Sequence, residues 1–140
     1  MGANMIGVLI ITHGELGHEL IKAAELIKGD LKGVAHISVD QTKGMEEIRK
    51  EISAAIKRLD QGRGVIILTD LFGGTPANLS LSFLKEGKVE VITGVNLPML
   101  LKLSDARGTM NLQEYAIFIK EYGIKNIYLA SEILNKKIGA

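Results

Sequence analysis

Met5-Ile6-Gly7-Val8-Leu9-Ile10-Ile11-Thr12 is an unbroken apolar run rich in branched side chains, closed by Thr12-His13-Gly14. A run of this kind, without polar alternation, suits a strand buried on both faces, as in a parallel sheet. The same signature returns in Val34–Val39, Val65–Thr69 and Lys88–Thr93, and more briefly in Asn126–Ala130. Helical spacing fills the gaps. Leu16, Leu20, Ile21, Ala23, Ala24 and Ile27 predict a helix over 16–27; Met45, Ile48, Ile52, Ala55, Ile56 and Leu59 predict a strongly amphipathic one over 44–59. Thr75–Leu84 reads as a helix with Thr75 as N-cap and Pro76 at the first helical position. Leu97–Leu103 and Leu112–Tyr122 follow, the latter ended by Gly123, and Ser131–Ile138 is a helical tail. Strands alternating with helices predict right-handed crossovers and an α/β fold, a mostly parallel sheet with helices on both faces.

At 140 residues the chain is expected to form one domain, 1–140, and is long enough to enclose a core. Lys plus Arg number 17 against 16 Asp plus Glu, a net charge of +1. That balance argues against nucleic acid or a membrane surface recruited by bulk charge. No cysteine is present, which excludes disulfides, thiol catalysis and cysteine metal sites. No apolar stretch is long enough for a membrane span, and the Met1-Gly2-Ala3-Asn4 start lacks the basic residues of a signal peptide. A cytoplasmic location is expected.

In open α/β sheets ligands bind at the carboxyl ends of the strands. There the sequence offers Thr12-His13-Gly14, Asp40-Gln41-Thr42, Asp70-Leu71-Phe72-Gly73-Gly74-Thr75-Pro76-Ala77-Asn78 and Gly94-Val95-Asn96-Leu97-Pro98. If the first and third strands are neighbours, the Asp70 carboxylate can accept the Nδ1–H of His13. That fixes the tautomer and leaves Nε2 as a nucleophile. Gly73 and Gly74 allow a close backbone approach, and the helix start at Thr75 favours an anion. A nucleophilic histidine beside an anion site points to phosphoryl transfer; acyl transfer would call for a serine or cysteine nucleophile, and no G-x-S-x-G elbow occurs. No G-x-G-x-x-G follows the first strand and no P-loop is present, so neither NAD nor a nucleotide cofactor is expected. His13, His18 and His36 lack zinc-site spacing, so no metal is expected; His18 and His36 read as structural. Asn78 is placed to reach back to the start of its helix.

The I-I-T-H-G end of the first strand, the D-L-F-G-G-T-P-A-N loop and the G-V-N-L-P-M-L loop resemble the enzyme IIA component of the mannose-type (mannose, fructose and sorbose) sugar phosphotransferase system, over roughly residues 5–130. The resemblance implies a three-layer α/β/α sandwich of four parallel strands plus an antiparallel edge strand, with Asn126–Ala130 the candidate. It implies a phosphohistidine relay. His13 accepts a phosphoryl group on Nε2 from the histidine phosphocarrier protein and passes it to enzyme IIB. Asp70 holds Nδ1, and Gly73, Gly74 and Thr75 receive the phosphoryl oxygens. Asn96, Leu97, Pro98 and Met99, with Gly94 and Val95, wall the site. Phe72, Leu97 and Met99 are candidates for an apolar docking rim. A homodimer exchanging the edge strand is implied. Some relatives carry the IIB domain on the same chain; this sequence stops at residue 140, so IIB is expected on a separate polypeptide. Two alternatives share the fold: the phosphotransfer subunit of dihydroxyacetone kinase, and a regulatory module using the same crevice.

Overall fold

The computed structural model describes residues 4–137; Met1–Ala3 and Ile138–Ala140, which include the last residue of the expected tail helix, Ile138, lie outside the described residues. The chain runs β1 (Gly7–His13), α1 (Leu16–Lys28), β2 (Val34–Val39), α2 (Met45–Leu59), β3 (Val65–Thr69), α3 (Thr75–Leu81), β4 (Val89–Thr93), α4 (Leu97–Lys102), α5 (Leu112–Lys125) and α6 (Ala130–Lys137). Among the described residues the strands form one sheet in the order β2-β1-β3-β4, parallel throughout. The apolar strands divide by parity, because alternate side chains face opposite sides. Val8, Ile10, Ile66, Leu68 and Ile92 pack on one face with Ile21 and Ala24 of α1, Leu100 of α4, and Leu112, Tyr115 and Ile119 of α5. Leu9, Ile11, Ile37, Val39, Ile67 and Val89 pack on the other with Ile48, Ile52, Ala55 and Leu59 of α2 and Leu79 of α3. These are the three layers, and they put β1 and β3 at the centre.

The antiparallel edge strand expected at Asn126–Ala130 is not formed. Residues 127–129 carry no strand assignment and α6 begins at Ala130. Ile127, Tyr128 and Leu129 are exposed. Strand-forming side chains make no strand without a neighbouring backbone to accept and donate the ladder hydrogen bonds. Helix α5 does not stop at Gly123 but runs to Lys125. Gly123 is there for room: a Cβ on it would lie 2.8 Å from Cγ of Met99. Helix α3 ends at Leu81, and the chain to Leu84 continues in tighter i→i+3 turns, with the Ser82 hydroxyl donating to the Leu79 carbonyl at 2.6 Å.

Arg107, which the sequence reading did not single out, fastens the amino end of the sheet. It is buried, and its guanidinium donates to the carbonyls of Ile6 (2.6 Å), Lys32 (2.5 Å) and Gly33 (2.6 Å). It thereby ties the entries to β1 and β2 to the segment before α5. Arg107→Met would leave the Ile6 and Lys32 carbonyls without the guanidinium, while the Gly33 carbonyl keeps the Val8 N–H at 3.1 Å. At about 1 kcal/mol or more for each of the two acceptors, it is expected to lower stability by roughly 2 kcal/mol, read as a shifted denaturant midpoint with unchanged slope.

Candidate functional site

The carboxyl end of β1 delivers His13 to the middle of the sheet edge. Buried Thr12 anchors the turn that follows, its Oγ1 accepting the Gly17 N–H at 2.8 Å. Gly14 takes a positive φ of 54°, which glycine adopts without strain, and its N–H donates to the Val39 carbonyl at 2.9 Å. The chain can therefore turn sharply into α1 while the His13 ring stays outside, half exposed at 51%. Because β3 pairs directly with β1, Asp70 emerges beside it.

One carboxylate oxygen holds His13 twice. Asp70 Oδ2 accepts the His13 main-chain N–H at 2.9 Å and stands 2.9 Å from ring Nδ1. The Leu71 N–H donates to Oδ1 at 3.1 Å. Burial pushes the Asp70 carboxyl upward, but the His13 main-chain and ring hydrogen bonds, the His13 charge and a neighbouring main-chain N–H together hold it below the ordinary 3.8. The ionised carboxylate only accepts, so Nδ1 carries the proton and Nε2 keeps its lone pair. The free edge of the ring faces Gly74: a Cβ there would lie 2.8 Å from Cε1 and 3.3 Å from Nε2. Any side chain at this position would crowd the ring.

The loop before α3 differs by one position from the expected cap. Gly74 is the N-cap, in extended conformation, and Thr75 is the first helical residue. Thr75 is therefore released from capping duty, exposed, and lines the same shallow cavity as His13. Asn78 does not cap Thr75; its amide reaches the Gly73 carbonyl at 3.5 Å, the outer limit of a hydrogen bond. Gly73 turns the loop at a φ of 94°.

The expected wall residues separate. Phe72 is exposed at 74%, and Leu71 beside it is also exposed. Leu97 and Pro98 are half-buried. Met99 is not on a rim: it is 4% exposed and belongs to the core under α4 and α5. Asn96 is committed within the chain, its Oδ1 accepting the Met99 N–H at 3.2 Å and its Nδ2 donating to the Gly123 carbonyl at 3.0 Å. It shapes the loop rather than facing outward. The apolar look of G-V-N-L-P-M-L concealed this, since α4 turns Met99 and Leu100 together into the core and leaves Leu97 and Pro98 half-buried.

The cavity at His13 has a volume of about 280 Å³ and is lined also by Val39, Asp40, Gln41, Lys43, Met45 and Ile48. Lys43 is the residue the sequence reading missed; its signal was its place just beyond the carboxyl end of β2, the strand next to β1. His18 and His36 line no part of this cavity. They stack on each other with ring centroids 4.4 Å apart. Among the described residues no cluster of His, Cys, Asp and Glu could hold a metal ion, and no helix is long and apolar enough to cross a membrane.

A family model described as EIIA-man, PTS system fructose IIA component, matches residues 7–120. The chain is 29% identical over 133 residues to the PTS system fructose-specific EIIA component of Bacillus subtilis, covering 94% of this chain and 91% of that protein. It is 34% identical over 103 residues to the PTS system mannose-specific EIIAB component of Escherichia coli, covering 73% of this chain but only 32% of that longer protein. Among solved structures, the PTS IIA protein associated with the fucose utilization operon from Streptococcus pneumoniae superposes with a TM-score of 0.83 at 28% identity, over 96% of this chain and 100% of that one.

The lowered Asp70 carboxyl makes a testable link to acid stability. A depressed folded value means that its contribution is complete above the ordinary 3.8 and is lost as pH falls through the lower folded value. Asp70→Asn has no such titration. Denaturant unfolding is expected to show the wild type ahead of the variant at about pH 5, with the margin shrinking as pH falls below 3.8.

Proposed function

The chain belongs to the EIIA-man family of sugar-transport phosphotransferase-system components, and on that premise we propose that it acts as a phosphohistidine relay. The observation that carries this reading is the doubly held His13: Nδ1 is bound to Asp70 while the Nε2 edge is free beside Gly74 and Thr75. The donor is the phosphorylated histidine phosphocarrier protein, and the acceptor is an enzyme IIB component.

In the transfer, the Nε2 lone pair of His13 attacks phosphorus as the donor's N–P bond breaks. The PO3⁻ unit moves in line and no proton leaves the ring. The imidazole becomes cationic, with Nδ1–H still donating to Asp70, whose negative charge stabilises it. The Gly73–Thr75 main chain and the Thr75 hydroxyl take the phosphoryl oxygens, helped by the open space that Gly74 leaves. The second transfer to enzyme IIB reverses these steps. A high-energy N–P bond supplies the driving force, so the reading needs no metal or nucleotide. Exposed Leu71 and Phe72 form the apolar contact for both partners, which exclude water while docked. The reaction takes place in the cytoplasm.

Incubation with phosphoenolpyruvate, enzyme I and the phosphocarrier protein is expected to give one acid-labile, base-stable phosphate per chain. His13→Ala should carry none while keeping the wild-type circular dichroism spectrum. An unlabelled wild type with active carriers would overturn the relay.

The same family reading supports a homodimer. Ile127, Tyr128 and Leu129 are exposed next to one another, and among the described residues β4 ends the sheet, its outer edge bridged only at Val89, by Lys85. Laid against β4 of a second copy, residues 126–130 would gain the ladder they lack and remove an exposed edge. Sedimentation should then give a dimer for the wild type and a smaller species for Tyr128→Asp; a monomeric wild type at tens of micromolar would refute this arrangement.

A further inference from the structure

We propose that Lys43 is the cation that holds the phosphoryl group on His13, handed to it from a resting ion pair with Glu51. This rests on the relay reading above and adds to it the counter-charge that the dyad and the loop do not supply.

Charge makes the demand. Asp70 is ionised beside the ring, and each transfer brings one further unit of negative charge into the site with the PO3⁻ unit. Asp40 lines the same cavity and is a second carboxylate. Its Oδ1 accepts the Thr42 N–H at 2.8 Å and the Thr42 hydroxyl at 2.5 Å, which turn that oxygen into its own loop. Main-chain N–H groups and a threonine hydroxyl offer only partial charges against this. Among the described residues lining the cavity, Lys43 is the one Lys or Arg, and it shares that lining with His13 and Thr75.

Geometry supplies the cation in reserve. Lys43 belongs to the loop between β2 and α2, and its Nζ donates to both Glu51 oxygens, at 3.0 and 3.2 Å. That pairing raises the Lys43 ammonium above its ordinary value, so it stays charged in any working range. The pair is only partly buried, with 30% of the Lys43 side chain and 38% of the Glu51 side chain exposed. An exposed ion pair of this kind contributes little to stability and opens readily. Four methylenes give the ammonium its reach, and a phosphoryl dianion is a stronger partner than the Glu51 carboxylate. The loop position also explains the arrangement. Because β2 pairs with β1 up to His13 opposite Val39, whatever follows Val39 is carried to the His13 side of the sheet edge.

The test compares wild type, Lys43→Gln, Lys43→Arg and Glu51→Gln, each checked for an unchanged thermal midpoint, with phosphorylated phosphocarrier protein as donor. Lys43→Gln is expected to accept phosphate about tenfold more slowly. In ³¹P NMR of the phosphorylated proteins, it should raise the titration midpoint of the phosphoryl group by roughly one pH unit, because a nearby cation favours the dianion. Asp70 beside the ring, Asp40 in the cavity lining, and Glu51 and Glu47 facing Lys43 are unchanged in this comparison. Lys43→Arg should restore both readings. Glu51→Gln, which frees the ammonium, should leave acceptance at least as fast as in the wild type. A normally labelled wild type with Lys43→Gln within twofold of it and an unmoved midpoint would overturn the role of Lys43 and leave the relay standing. A wild type that takes no label would remove both.

Discussion

One carboxylate oxygen organises this molecule's working edge. Asp70 Oδ2 binds the main-chain N–H and the ring of the same residue, His13, and so fixes both the end of β1 and the direction of the imidazole. A single-point contact would orient the ring; two contacts to one residue also fix the strand end that carries it. The contact is possible only because β1 and β3 are adjacent and parallel. That adjacency in turn requires α1 and β2 to return on one side and α2 to cross to the other. The two apolar layers, one on each face of the strands, hold that crossover pattern in place. The cores thus contribute to function through registry: a one-residue slip of β3 would turn Asp70 away from His13 and invert its buried face.

The sheet was legible because its strands are so apolar. Val8 to Ile11 and Val65 to Leu68 are completely buried, and no amphipathic pattern competes with that reading. The His13–Asp70 pairing was legible for a related reason. Strand ends in a parallel sheet come to one edge, so polar residues just after two central strands meet. Less readable were features set by a single tertiary neighbour. Gly123 looks like a helix stop, yet it makes room for Met99. Asn96 looks like an outward loop amide, but both its ends are consumed by α4 and α5. Arg107 looks like one more surface charge and is instead buried among three carbonyls. The stretch 126–129 has strand-like side chains, but a strand is a property of two backbones, and one chain's sequence does not name the second.

The polar chemistry of the site depends on small residues as much as on charged ones. Gly14 lets the chain turn away beneath the ring, and Gly74 leaves the Nε2 edge uncovered. Since Gly74 also serves as N-cap without a side chain, Thr75 moves into the first turn of α3 with its hydroxyl unused by the cap. A serine or aspartate cap would satisfy a helix N–H more strongly, but its side chain would stand where the ring edge is now open. Local helix stability is given up here for access to one nitrogen.

That access is of a particular kind. A larger cavity, about 520 Å³, is lined by Gly62, Arg63, Glu86, Gly87, Asn111, Leu112 and Gln113, away from His13. The cavity at His13 is about 280 Å³ and its histidine is half exposed. A small-molecule phosphoryl donor such as a nucleotide is normally taken into a pocket of roughly 300 Å³ or more that covers most of its surface. Here nothing encloses such a donor. What the site presents is an imidazole fixed by Asp70, a short glycine-containing loop at the start of α3 and, next to them in the chain, exposed Leu71 and Phe72. Those features suit a phosphoryl group delivered on the surface of another protein, which brings its own walls and displaces water only while it is docked. In the proposed relay a shallow site is what the chemistry asks for: it opens to one partner and then to another, and a deep pocket would hinder both.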